Sequence, residues 1–100
     1  MKDTGSLDLM TITVKVFGGL RESFQGGTQL QQLPPASTLA SLITKLNADF
    51  PDLSADLAKG LDAGYLNILV NGRNIRFLQG HETMLQDGDI VAFLPPVGGG

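Results

Sequence analysis

One segment of this chain changes period. From Leu39 to Phe50 the apolar residues Leu39, Leu42, Ile43, Leu46 and Phe50 recur at i, i+3, i+4, i+7 and i+11, the spacing that lines up one face of an α-helix. On either side the pattern is that of extended chain. A single apolar stripe has to be covered by a single apolar surface, so this helix calls for one sheet, with the helix on one of its faces. Just before it, Pro34 to Thr38 stops extension with two prolines and offers Ser37 or Thr38 as N-cap.

The extended segments supply that sheet. Met10 opens a run that alternates with the strand period, Ile12, Val14 and Val16 on one face and Thr11, Thr13, Lys15 and Phe17 on the other. Residues Gly18 to Gly27 carry two glycine pairs around a short polar segment, and a second strand from Thr28 to Leu33 pairs with the first as a hairpin. After the main helix, Asp52 to Lys59 reads as a short second helix ending at Gly60. Tyr65 to Leu78 is extended again, with Asn71-Gly72 as a hairpin signal between two apolar segments, and Asp87-Gly88 turns the chain into a final strand. The order strand, strand, helix, helix, strand, short extended piece, strand predicts an α+β domain with a mixed sheet.

A chain of 100 residues, 42% of them hydrophobic, is enough for one core. Met1 to Leu9 is polar and aperiodic and reads as a disordered leader (1–9), followed by a domain over 10–94 and a flexible tail over 95–100. The net charge of −3, with seven Lys and Arg scattered and forming no run, argues against a nucleic-acid partner. The absence of Cys excludes a disulfide framework, a thiolate nucleophile and a Cys-based metal site. Without a stretch near the ~20 apolar residues of a membrane span, or the apolar segment of a signal peptide, the expected location is cytoplasmic.

Side-chain catalysis finds few candidates. The one histidine, His81, lies in the polar segment Gln79 to Thr83 and reads as a loop residue. Asp87 and Asp89 flank Gly88 as in a turn and lack the further oxygen ligands of a calcium loop, so no metal site is expected. The glycine pairs match neither phosphate-binding pattern. What remains is the chain end. Pro95 to Gly100 reaches about 20 Å when extended; Pro95 and Pro96 hold its base away from the sheet. Gly98, Gly99 and Gly100, lacking Cβ atoms, could thread a narrow channel and leave a terminal carboxylate open to attack. On residue types alone this stands beside a plain alternative, a floppy glycine-rich end or linker.

The ending DGDIVAFLPPVGGG, with LRE at Leu20 to Glu22 and VNG at Val70 to Gly72, resembles the MoaD group of the ubiquitin-like sulfur carriers, and the resemblance spans Met10 to Gly100. Related ThiS carriers share the glycine end but usually lack the Pro-Pro-Val approach. Leu94 stands where the group often has a second Phe, and Gly98 replaces a larger residue. The resemblance implies a β-grasp fold and a function carried by Gly100. A MoeB-like adenylating enzyme would use ATP and magnesium to activate the Gly100 carboxylate, and a sulfur donor would displace AMP to leave a thiocarboxylate. The tail would then enter a MoaE-like large subunit and pass sulfur to precursor Z on the route to molybdopterin, the carrier acting as small subunit of molybdopterin synthase with no cofactor permanently bound. Other carriers of this type serve thiamine, cysteine or homocysteine, or tRNA thiolation, and ubiquitin-like modifiers join a glycine end to lysines; both stay open as alternatives, as does a passive binding module. In a β-grasp sheet the first and last strands are neighbours. Phe17 and Leu94 are then expected to point outward together at the root of the tail, forming with Pro95, Pro96 and Val97 the partner-binding surface.

Overall fold

The computed structural model describes residues 9–17, 27–51 and 67–94. Strand β1 (Met10–Val16) alternates strictly, Met10, Ile12, Val14 and Val16 buried and the residues between them half-exposed. It pairs antiparallel with β2 (Thr28–Leu33), from Met10 opposite Leu33 to Lys15 opposite Thr28 without a slip. On its other side β1 runs parallel to β5 (Ile90–Leu94), which is antiparallel to β3 (Asn67–Val70), itself paired with the two-residue β4 (Arg73–Asn74). The sheet order is β2-β1-β5-β3-β4. A parallel pair cannot be joined by a tight hairpin, so the chain crosses over between β1 and β5, and helix α1 (Leu39–Asp49) forms part of that crossover.

Helix α1 starts at Thr38, one of the two expected caps. The Ser41 N–H donates to Thr38 Oγ1 at 3.3 Å and the Thr38 N–H to Ser41 Oγ at 3.4 Å, a reciprocal capping box with serine where Glu or Gln is usual. Leu39, Leu42 and Leu46 are buried, with Ile43 and Phe50 packed half-buried against the core, so the sequence stripe is the packed face. They meet the β1 alternates, Leu33, Ile68, Val70, Leu85, Val91 and Phe93. Phe93 is fully buried, the largest such side chain. Among the described residues, no helix is long and apolar enough to cross a membrane.

The Asn71-Gly72 signal holds. Val70 is opposite Arg73, and the loop residues have φ of 53° and 85°, the left-handed pair of a two-residue hairpin turn whose twist suits the strands. Beyond it, the extended reading fails after Asn74: Ile75–Phe77 and Gly80–Glu82 wind into 3₁₀ turns. Asn74 Oδ1 accepts the Arg76 N–H at 2.9 Å, giving the backbone a local partner in place of a strand ladder. The expected second helix over 52–59 lies outside the described residues, as do 1–8 of the expected leader and the whole of 95–100.

Candidate functional site at the root of the tail

Alternation along β5 decides what lies where the tail begins. Val91 and Phe93 point into the core, so Ile90, Ala92 and Leu94 face the other side of the sheet, with Ile90 exposed and the other two half-buried. In β1 the same parity turns Thr11, Thr13 and Lys15 outward. The parallel register sets Thr13 beside Ile90 and Lys15 beside Ala92. Phe17 carries this register one step further: its N–H donates to the Phe93 carbonyl at 3.3 Å, and its side chain is 43% exposed. Phe17 and Leu94 are thereby neighbours at one end of the sheet, as the strand pattern predicts. Pro95, Pro96, Val97, Gly98, Gly99 and Gly100 lie outside the described residues.

Two further residues join this face. Asn67 is opposite Leu94 and Leu69 opposite Ala92 across the antiparallel pair, so the apolar surface continues from Phe17 through Leu94 and Ala92 to half-buried Leu69. The signal was present in the sequence, because Ile68 and Val70 are core and Leu69 between them has to face away. Beside Leu69 an open groove of about 550 Å³ is lined by Gly72, Arg73, Asn74 and Phe77, and Phe77 is 80% exposed. Along this stretch Phe17 and Phe77 are exposed and Leu94, Ala92 and Leu69 half-buried, with Lys15, Asn67 and Arg73 supplying the polar neighbours.

The acidic turn does structural work. Asp87 Oδ1 accepts the Thr11 N–H at 2.8 Å, Asp89 Oδ2 the Gln86 N–H at 2.8 Å, and Asp89 Oδ1 the Asn71 Nδ2–H at 2.9 Å. These bonds fasten the start of β5 to β1 and to the β3-β4 hairpin. His81 sits exposed in the Gly80–Glu82 turn. The described side chains thus supply a surface and a fixed root for the tail.

A mixed five-stranded sheet with one main helix packed on one face, its final strand ending beside an exposed aromatic, is the ubiquitin-like β-grasp fold. Residues 14–100 match the ThiS family, and the chain belongs to that family of ubiquitin-like sulfur carriers. It is 30% identical over 92 residues to small archaeal modifier protein 3 of Haloferax volcanii, covering 91% of this chain and all of that protein. It is 34% identical over 95 residues to the sulfur carrier protein CysO of Mycobacterium tuberculosis, again 91% of this chain and all of the relative. The solution structure of small archaeal modifier protein 1 from Methanosarcina acetivorans superposes with a TM-score of 0.76 at 33% identity, over 92% of this chain and 98% of that one.

Proposed function

We propose that this protein carries sulfur as a thiocarboxylate on Gly100 and donates it as the small subunit of a molybdopterin synthase, in the cytoplasm. An ordinary α-carboxyl group has a pKa of about 3.3–3.7, so at neutral pH the chain end is a carboxylate and a poor electrophile. Activation therefore comes from a partner. A MoeB-like enzyme with ATP and magnesium would form the acyl-adenylate, releasing pyrophosphate; attack by a sulfur donor at the acyl carbon would expel AMP and leave the thiocarboxylate. A MoaE-like large subunit would then receive the tail. Gly98, Gly99 and Gly100 contribute passage through a narrow channel, and Pro95, Pro96 and Val97 contribute reach from the sheet.

The observation that carries this reading is the family match running through Gly100 from a strand whose last described residue, Leu94, lies beside exposed Phe17. Ordering a glycine tail opposes binding by about 1–2 kcal/mol per residue, so affinity has to come from elsewhere, and the Phe17–Leu94–Leu69 face is suited to supply it. The test is the mass of the C-terminal peptide after incubation with an adenylating enzyme, ATP and a sulfur donor. A sulfur-for-oxygen increment on Gly100 supports the carrier, and an unchanged mass with a competent partner refutes it. Conversion of precursor Z by the thiocarboxylated protein with a MoaE-like subunit tests the acceptor.

A second reading is favoured by the full-length relatives, one named a modifier and one the sulfur carrier CysO. On it the same thiocarboxylate serves another acceptor, or Gly100 is joined to lysines. Isopeptide-linked Gly100 recovered from cell extracts, with inactivity toward precursor Z, is its expected signature.

A further inference from the structure

The two edges of the sheet are treated differently. β4 is two residues long, carries Arg73 and bends at once into a 3₁₀ turn, which are devices that keep an edge from pairing with another chain. β2, at the other edge, has none of them. Thr28–Leu33 reads TQLQQL, six residues without a charge or a proline, paired to β1 with no bulge.

The phase of the ladder says which backbone groups β2 presents outward. The Val16 N–H donates to the Gly27 carbonyl at 2.8 Å. Counting in twos along the antiparallel pair, Gln29 with Val14, Gln31 with Ile12 and Leu33 with Met10 are the pairs that exchange both bonds. The N–H and C=O groups of Thr28, Leu30 and Gln32 therefore point away from β1, and among the described residues no group bonds to them. Leu30 adds an apolar side chain that is 65% exposed on the outward face of the sheet.

The geometry points to a second copy of this chain as the occupant of this edge, paired antiparallel with its own β2 about a two-fold axis at Leu30. In such a pairing Leu30 meets its own copy and the other residues meet one another in exchange, so a charge anywhere in this short strand would be repeated close by with the same sign; β2 has none. Only the register centred on Leu30 uses all the outward groups. Thr28 then meets Gln32, Leu30 meets Leu30 and Gln32 meets Thr28, each exchanging both main-chain bonds, and the two exposed leucines cover each other on the outward face. The two-fold axis stands perpendicular to the sheet, so both helices lie on one side and the two five-stranded sheets become one. β5 is two strands in from this edge, about 10 Å, and the root of the tail stays uncovered. The inference stands independently of what the tail carries.

The chain has no cysteine, which makes single cysteines readable. Opposed residues in such a pair have Cα atoms about 5.5 Å apart, within disulfide reach. Oxidised Leu30→Cys is expected to run as a covalent dimer. Thr28→Cys and Gln32→Cys should each stay single, because each is offset from its own copy by four residues, about 13 Å along the strand, whereas an equal mixture of the two should cross-link. In sedimentation equilibrium up to about 1 mM, the weak end of specific association, the mass of the wild-type chain should rise from 10.6 kDa toward twice that value. Leu30→Lys should hold it at the monomer value with an unchanged circular dichroism spectrum, and mixing Leu30→Lys with Leu30→Glu should restore the dimer. A wild-type chain that stays monomeric across this range overturns the inference, as does self-cross-linking of Thr28→Cys equal to that of Leu30→Cys.

Discussion

Asn71 joins three parts of the fold, and replacing it tests how the start of β5 is held. Its backbone has φ of 53° and its N–H donates to the Ile90 carbonyl at 2.8 Å. Its side chain works in both directions: Oδ1 accepts the Ile90 N–H at 2.9 Å, and Nδ2–H donates to Asp89 Oδ1 at 2.9 Å. Asn71→Ala keeps the backbone bond and loses the other two. A left-handed alanine costs about 1–2 kcal/mol, less the smaller penalty asparagine already bears. Two exposed hydrogen bonds contribute about 0.5–1 kcal/mol each, near the low end of the net range. The expected loss is about 2–3 kcal/mol, a large share of the 5–15 kcal/mol typical of a domain. For a domain of this size that corresponds to a fall in Tm of about 10–20 °C. Asn71→Gly loses the same bonds without the left-handed strain but gains unfolded-state entropy worth about 0.4–1 kcal/mol. It should therefore be milder than alanine by about 0.5 kcal/mol, once the strain is set against that entropy. Urea unfolding with an unchanged m-value is the assay. A loss below about 0.5 kcal/mol for alanine, less than one net hydrogen bond, or a glycine variant weaker than alanine, would refute this account of the junction.

Other sites give sharper contrasts. Phe93→Ala empties the largest fully buried position and should cost about 3–5 kcal/mol, read as a low or absent thermal transition. Thr38→Ala removes one side of the capping box and should cost about 1 kcal/mol in urea unfolding, with Ser41→Ala costing less because only the weaker 3.4 Å bond is its own. Phe17→Glu should leave Tm within a few degrees yet weaken binding to the adenylating enzyme and the large subunit by about 2 kcal/mol, measured by calorimetry; Leu94→Glu should act alike, with a larger stability cost because Leu94 is half-buried. Adding one residue after Gly100 should abolish adenylation in a pyrophosphate-release assay while the domain stays folded, and Gly99→Val should reduce it through the channel.

The root of the tail was legible in the sequence through strand parity. Gly98 to Gly100 lie outside the described residues, and their proposed part rests on residue type alone. Phe17 and Leu94 speak through parity: once Ile12, Val14 and Val16, or Val91 and Phe93, are assigned to the core, a period of two leaves their neighbours only one direction. Helix α1 was legible for the same reason at another period, and Thr38 because a hydroxyl before an apolar stripe is a cap. The 3₁₀ winding of Ile75–Phe77 was hidden, because its apolar residues suit a strand and the deciding bond, from the Arg76 N–H to Asn74 Oδ1, is specific to local geometry.

β2 shows where parity alone runs out. TQLQQL places Leu30 and Leu33 three apart, so one must face inward and the other outward, and nothing within the segment chooses. The choice is made by β1. Leu33 lies opposite buried Met10, and in that register Gln31 comes opposite Ile12 and is itself 7% exposed, while Leu30 meets half-exposed Thr13 on the outward face. A slip of one residue would bury Leu30 but turn Leu33 out to solvent, a near-even exchange for the core. The Gly27 carbonyl that takes the Val16 N–H pins the phase. The exposed leucine on an uncharged edge thus follows from how the hairpin is anchored rather than from its own pattern. It is also the residue on which the proposed self-pairing turns, so the substitution that leaves the core untouched, Leu30→Lys, is the one that should separate the fold of this chain from its association.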